Sequence, residues 1–214
     1  MMPKEPRTIY LVRHGTIQLP DAQRRYIGHY DVPLDERGME QARCLRKRLE
    51  GVLLTGAYCS DLSRSRRTAE IIVNDRDILI HTRHDLREIH LGEWEGHTFM
   101  EIEQQFPHEF MARGSDILHY RISGGESFAD CSKRILPAFR EILKTSTGDI
   151  LIVGHAGVNR IILCHGLGVP LHDLFKIRQE YGCMNVIRES DSGEQVIMKV
   201  NDCSALSHAM NQCS

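Results

Sequence analysis

Apolar positions along the chain follow two periods. Four short apolar runs are too brief for helices and are interpreted as buried strands: 8–12, 56–59, 78–81 and 149–154. Between these runs, apolar residues recur every three to four positions, which indicates amphipathic helices. A strand that turns directly into a helix is the repeating unit of a parallel sheet, so the pattern predicts an α/β protein.

The predicted helices have recognisable starts. Asp35 is a predicted N-cap, and the helix after it is expected to run from Glu36 to Glu50. Candidate caps of a second helix are Ser60, Asp61 and Ser63. The clearest amphipathic helix follows residues 124–127, and Pro137 inside it is expected to kink it or to start a second segment.

The remaining segments lie between or after these elements. Residues 16–33 predict a loop beside the first strand, and residues 89–125 are interpreted as a helical insertion over the mouth of a site. Two more strands, 185–189 and 195–200, predict a hairpin, and residues 201–214 a polar tail. Because no linker or repeat divides the chain, we expect residues 1–214 to form a single domain.

Composition narrows the class of protein. The 214 residues carry a formal net charge of −2, so no general basic field attracts nucleic acid. Seven cysteines without CxxC spacing argue against a disulfide framework or zinc ribbon and favour a reducing cytosol. We recognise no signal peptide and no run long enough to span a membrane. A cytoplasmic protein without nucleic-acid or membrane partners is expected, and nothing predicts its oligomeric state.

Two of the predicted strands end in histidine. The first leads into Arg13 and His14, and the fourth into His155, which precedes a predicted helix. Ligands of open α/β sheets bind beyond the carboxyl ends of the strands, and helix N-termini favour anions. Arg64 lies in the first turn of a helix, where the dipole disfavours a cation, so it is a candidate for function. These four residues predict a positive pocket for a phosphoryl group.

Phosphoryl transfer is the chemistry that such a pocket favours. Unprotonated His14 can attack phosphorus in line, and water can then hydrolyse the phosphohistidine. The leaving alkoxide needs a proton, for which Glu88 is the best candidate donor, with Glu93 and Glu95 as fallbacks. This scheme requires no metal ion and no other cofactor.

Each candidate also has a simpler structural interpretation. A single histidine at a strand end is more often structural than catalytic, and Glu88 alone would be read as a surface carboxylate. Two histidines that each follow an apolar strand, one directly after an arginine, strengthen the catalytic interpretation. Arg24 and Arg25 are most simply a solvated surface, although their closeness in sequence to His14 leaves a substrate role open.

The motifs resemble those of the histidine phosphatase superfamily, which includes the cofactor-dependent phosphoglycerate mutases. Residues 11–15, Leu-Val-Arg-His-Gly, resemble its signature. The resemblance continues in order through 26–34, 60–64, 86–89, 124–127 and 153–157. It implies a three-layer α/β/α sandwich with a mostly parallel sheet.

The resemblance also assigns roles to residues. It implies that His14 is phosphorylated, that Glu88 donates the proton, and that His155 acts with them in catalysis. Arg13, Arg64, His14 and His155 then bind the phosphate. One departure stands out, since Pro20 occupies a place where many relatives carry a phosphate-contacting asparagine. Proline offers no donor, so weaker phosphate binding or a changed substrate orientation is expected.

Three functions are compatible with these motifs. The compact middle segment resembles the small-phosphatase branch, which includes α-ribazole-5′-phosphate phosphatases, and favours a phosphomonoesterase for a small phosphorylated metabolite. A phosphoglycerate mutase is the first alternative, although such relatives usually carry a longer middle segment. A non-catalytic binder of phosphorylated ligands is the second, but His14 and Glu88 are both present.

Overall fold

The computed structural model describes residues 5–204, which form a six-stranded sheet with helices on both faces. The strands are β1 Arg7–Arg13, β2 Leu54–Cys59, β3 Ile80–Thr82, β4 Asp149–Gly154, β5 Met184–Glu189 and β6 Gln195–Asp202. Their order in the sheet is β3-β2-β4-β1-β5-β6. The pairs β3·β2, β2·β4 and β4·β1 are parallel, and β1·β5 and β5·β6 are antiparallel.

Two layers of helices cover the sheet. The helices are α1 Glu36–Arg48, α2 Ser63–Val73, α3 Phe99–Gln105, α4 Pro107–Ser115, α5 Phe128–Thr145 and α6 Ala156–Leu167. Residues of α1 and α2 share one apolar core with the sheet, and residues of α5 and α6 share the other. The predicted three-layer sandwich with a mostly parallel sheet is confirmed.

Strand β4 shows why four consecutive positions, 150–153, are all apolar. Ile150 and Ile152 pack in the core of α5 and α6, whereas Leu151 and Val153 pack in the core of α1 and α2. Side chains of a strand alternate between the two faces of the sheet. Because both faces of β4 are buried, no polar residue interrupts its run.

The positions of the following helices create a crevice beside β1 and β4. These strands are parallel neighbours, yet α1, which follows β1, and α6, which follows β4, lie in opposite layers. Chains that leave adjacent strand ends toward opposite faces open a space between them. His14 and His155 are the residues that directly follow these two strands.

Several boundaries differ from the predicted ones. Asp35 is the N-cap of α1, as predicted, but the helix ends at Arg48 rather than Glu50. Helix α5 runs continuously through Pro137, so no second segment starts there. Strand β2 begins two residues earlier than predicted, and strand β3 begins two residues later.

The predicted caps of α2 are wrong. Its N-cap residue is Leu62, and no side chain caps the helix. The three candidate caps have tertiary partners instead: His155 for Ser60, Arg87 for Asp61 and Asp31 for Ser63. Contacts with distant segments have therefore replaced the local hydrogen bonds that the sequence suggested.

The predicted tail begins too early. Asn201 and Asp202 belong to β6, and the Asn201 amide donates to the Asn185 side chain at 2.8 Å. The part of the tail from 205 to 214 lies outside the described residues. Within residues 5–204, no helix has the length and apolarity needed to cross a membrane. The six cysteines of that range are free thiols, four of them buried.

Candidate active site

A cleft of about 660 Å³ opens at the carboxyl ends of β1 and β4. Its inner wall comprises His14 after β1, Arg64 of α2, Glu88 and the first turn of α6. Its outer wall comes from the loop after β1, from Leu91, Phe99 and Arg113 of the predicted insertion, and from residues 175–181. Residues of the segment 89–125 therefore line part of the cleft.

A backbone contact fixes the point where the chain leaves β1. A Cβ atom on Gly15 would overlap the Gly38 carbonyl oxygen, and one on Gly38 would overlap the Thr16 carbonyl oxygen. Only glycine permits backbones to approach this closely. The start of α1 thus packs directly against the Arg-His-Gly turn and holds His14 in place.

His14 has the geometry of a neutral imidazole with one free nitrogen. The ring is buried, and its Nδ1 lies 2.8 Å from the Gly15 carbonyl oxygen. A carbonyl oxygen only accepts, so Nδ1 carries the hydrogen and Nε2 keeps its lone pair. Burial, followed by the charges of Arg64 and Arg13, holds the pKa of His14 well below its usual value.

His155 packs edge-on against His14, with 5.0 Å between ring centroids. It is completely buried at the N-cap position of α6, and its Nε2 lies 2.6 Å from the Ser60 hydroxyl. Its Nδ1 has no partner among residues 5–204. Burial, then the charges of Arg64 and His14, holds the pKa of His155 well below its usual value. This second imidazole is therefore neutral, with one nitrogen that makes no hydrogen bond within residues 5–204.

Arg64 is a buried cation without a close counter-ion. Its Nη1 and Nη2 donate to the carbonyl oxygens of Tyr30 and Gly28, at 3.0 and 2.6 Å. Its Nε has no partner within the described chain, and the Asp31 carboxylate is 4.0 Å away. Burial lowers its pKa, although a guanidinium remains protonated. A buried charge held in this way is stabilised by an incoming anion.

Arg13 is positioned by the loop that precedes β5. Its Nη1 donates to the Gln179 carbonyl oxygen at 2.6 Å, and its guanidinium lies 3.6 Å from the Tyr181 ring centroid. The Gln179 amide is buried and exchanges hydrogen bonds with Asn185 and Asn159. Stacking on the Tyr181 ring restricts the orientation of this planar guanidinium.

Glu88 lies where the cleft meets α6. Its Oε2 accepts from the Gly157 amide and its Oε1 from the Ile89 amide, each at 3.0 Å. The fallback donors lie elsewhere: Glu93 is exposed and accepts from Ser123, and Glu95 accepts from the amides of His29 and Leu91. Neither of these two lines the cleft, so Glu88 is the donor candidate that the geometry favours.

The structure brings together all the residues singled out for the site. Arg13, His14, Arg64 and Glu88 line one cleft, and His155 contacts His14 behind them. Sequence reasoning missed Arg160, although it lies one helical turn after the cleft residue Ala156. It also missed Tyr181, for which no local pattern gave a signal. No group of three or more His, Cys, Asp or Glu within residues 5–204 could hold a metal ion.

The chain belongs to the histidine phosphatase superfamily, branch 1, whose sequence profile matches residues 9–202. It is accordingly an enzyme of the histidine phosphatase class. This membership agrees with the family resemblance of the motifs and with the observed fold.

Named relatives point toward phosphatases. The adenosylcobalamin/alpha-ribazole phosphatase of Escherichia coli is 29% identical over 180 residues, covering 84% of this chain and 88% of that protein. A 6-phosphofructo-2-kinase/fructose-2,6-bisphosphatase of Caenorhabditis elegans is 32% identical over 206 residues, covering 88% of this chain but 43% of that protein.

Solved structures of similar proteins share the fold of this chain. A putative alpha-ribazole-5′-P phosphatase from Escherichia coli superposes with a TM-score of 0.85 at 27% identity, covering 92% of this chain and 96% of its own. Bacillus stearothermophilus YhfR superposes with a TM-score of 0.84 at 35% identity, covering 93% of this chain and 98% of its own.

Proposed function

We propose that this protein is a phosphomonoesterase that transfers the phosphoryl group of a small phosphorylated metabolite to His14 and then to water. One observation carries the proposal: His14 is neutral, its Nδ1 is bound to the Gly15 carbonyl oxygen, and the ring lines a cleft. An imidazole held in this tautomer presents Nε2 as the nucleophile.

In the first step Nε2 of His14 attacks phosphorus while the bond from phosphorus to the leaving oxygen breaks. Arg13 and Arg64 neutralise charge on the phosphoryl oxygens, and Nδ1 of the neutral His155, which has no partner within residues 5–204, donates a hydrogen bond to one of them. Glu88, acting as the general acid in its protonated form, gives a proton to the leaving alkoxide.

In the second step water attacks the phosphohistidine. The Glu88 carboxylate takes a proton from the water, and the bond from phosphorus to Nε2 breaks. Inorganic phosphate leaves, and His14 returns to its neutral form. These steps balance in atoms and protons, and the residues of the cleft supply every group that they use.

The substrate class follows from the cleft and from the named relatives. A volume of about 660 Å³ suits a small molecule. The relatives named above act, by their names, on alpha-ribazole phosphate and on fructose 2,6-bisphosphate. We therefore place the substrate among small metabolites that carry a phosphate ester.

The decisive experiment measures phosphate release from a panel of phosphomonoesters in the presence of EDTA. The panel holds α-ribazole phosphate, sugar phosphates, phosphoglycerates and p-nitrophenyl phosphate. Rapid quenching in alkali during turnover traps the intermediate, because phosphohistidine is stable in base and labile in acid. We expect EDTA-resistant release and a base-stable phosphoprotein.

Two variants complete this experiment. His14→Ala should abolish the phosphoprotein and lower turnover by about three orders of magnitude or more. His172→Ala, at an exposed position outside the cleft, should change neither. Release that survives in His14→Ala, or that disappears with EDTA, would exclude the proposed route. Isomerisation of phosphoglycerate in preference to its hydrolysis would indicate a mutase.

A further inference from the structure

The cleft as a whole is rich in arginine. In addition to Arg13 and Arg64, five arginines line it: Arg24, Arg25, Arg113, Arg160 and Arg178. The only carboxylates among the lining residues are Glu88 and Glu180. The chain as a whole carries a net charge of −2, so this cationic surface is a local feature of the cleft. A single phosphate ester does not account for so many cations.

Two of these arginines flank a stacked aromatic pair. The rings of Phe99 and Tyr26 are parallel within 9°, with centroids 4.1 Å apart. The Arg24 guanidinium lies 4.9 Å from the Phe99 centroid, and the Arg113 guanidinium lies 5.7 Å from the Tyr26 centroid. We refer to these four residues as the Arg24–Arg113 stack. All four line the cleft that contains His14.

Backbone hydrogen bonds hold the stack together. The Phe99 amide donates to the Arg24 carbonyl oxygen at 3.0 Å, and the Tyr26 amide donates to the His97 carbonyl oxygen at 2.9 Å. A β-bridge joins Arg25 to Thr98 between them. The loop after β1 and the start of α3 thus form one unit, and the aromatic pair is fixed before a ligand binds.

The cations of the stack lack acceptors within the described chain. Arg25 is neutralised by Asp21 at 2.7 Å, whereas no ion pair or hydrogen bond joins the guanidinium of Arg24 or of Arg113 to any residue of 5–204. Arg113 is partly buried, and burial lowers its pKa. Aromatic faces attract such cations but accept no conventional hydrogen bond. An anion from solution would supply the missing acceptor.

We propose that the Arg24–Arg113 stack binds a second anionic group of the substrate, away from the transferred phosphate. The substrate is then a phosphomonoester that also carries a carboxylate or a second phosphate on its leaving alcohol. This inference rests on the proposed function, because it places the phosphate ester at His14. It distinguishes this substrate from phosphate esters whose leaving alcohol carries no charge.

The test uses pairs of substrates that differ in one anionic group. 3-Phosphoglycerate and glycerol 3-phosphate differ by a carboxylate, and fructose 1,6-bisphosphate and fructose 6-phosphate differ by a phosphate. The native protein should favour the more anionic member of at least one pair by about tenfold in kcat/KM, the scale of one hydrogen bond to a charged group. The preference should appear mainly in KM, because the second group is remote from the reacting atoms.

Variants assign the preference to the stack. Arg113→Gln and Arg24→Gln should each reduce the ratio of kcat/KM within the pair toward one. Arg24 is exposed, so its variant tests the proposal even if Arg113→Gln is unstable. Arg140→Gln, at an exposed position on α5 outside the cleft, should keep the native ratio.

Binding to the His14→Ala protein, measured by calorimetry, provides a second readout that needs no turnover. The more anionic member should again bind more tightly, and Arg113→Gln in that background should remove the difference. No preference within either pair, or a preference that both stack variants retain, would overturn the inference. His14-dependent hydrolysis without such a preference would refute only the inference, whereas loss of all His14-dependent hydrolysis would refute the proposed function.

Discussion

The two ends of the cleft differ in how far the protein itself supplies partners for their charged and polar groups. At the inner end, His14 and His155 are buried and neutral, and Arg64 donates to two backbone carbonyl oxygens. At the outer end, Arg24 and Arg113 keep their charges against aromatic faces and have no acceptor within the described chain. Hydrogen bonds within the protein thus fix the groups of the inner end. The guanidinium groups of the outer end still have donors that a ligand can use.

This difference separates chemistry from recognition. Groups that react must have a fixed tautomer and position, which short contacts with the backbone provide. Groups that select a leaving alcohol need only a surface of the right charge and shape. The predictions below run from the largest expected effect to the smallest: the first two test the inner end, and the last tests the loop after β1.

The largest effect is expected for Glu88→Gln. An alkoxide leaving group needs a proton, so turnover of alkyl phosphates should fall by about 10²- to 10⁴-fold, the usual contribution of general acid catalysis. p-Nitrophenyl phosphate has a stable leaving anion and should lose much less. Steady-state kinetics of both substrates measure this difference, with Glu93→Gln, exposed and outside the cleft, as the control. Equal losses on both substrates would rule out Glu88 as the proton donor.

A smaller effect is expected on stability as the pH falls. The folded protein holds His14 and His155 neutral, with pKa values well below the usual 6.5, so below that pH the unfolded chain binds more protons. Stability should therefore decrease from pH 6.5 down to the folded-state pKa values, by about 1.4 kcal/mol per pH unit for each histidine. Above pH 6.5 this contribution is fully retained.

Urea unfolding at pH 7.5, 6.5 and 5.5 measures this slope. His14→Gln should reduce it because one of the two buried histidines is removed. His172→Gln, at an exposed position, should leave it unchanged. An identical slope in native protein and His14→Gln would mean that the inner end is not held neutral by burial.

The smallest effect concerns Pro20, which is exposed and does not line the cleft in this structure. The expectation that it weakens phosphate binding remains a prediction. Pro20→Asn restores a donor and should lower KM by about three- to tenfold, the range of one hydrogen bond. Gln18→Asn, at an exposed position of the same loop, serves as the control. Unchanged KM values for every substrate would contradict the idea.

The sequence by itself determined the inner end of the site. The central positions of strands that are buried on both faces are apolar, so β1 and β4 were visible as runs, and the residues after them had to lie at one edge of the sheet. His14, His155 and Arg64 could therefore be placed from local patterns alone. The N-cap Asp35 was predictable for the same reason, because its acceptor atom bonds three residues away.

Only the tertiary structure showed which residues contact one another at the outer end of the cleft and which residue supports Arg13. Tyr181 contacts Arg13 across more than 160 residues of chain, and the stacked rings of Phe99 and Tyr26 bring Arg24 and Arg113 to one surface from separate segments. Such contacts depend on how loops return to the sheet, and no period in the sequence encodes that path. The same cause explains the wrong caps of α2, since the Ser60 hydroxyl bonds His155 and does not cap the helix that follows it. Local hydrogen bonds can be read from spacing, whereas partners chosen by packing appear only when the chain has folded.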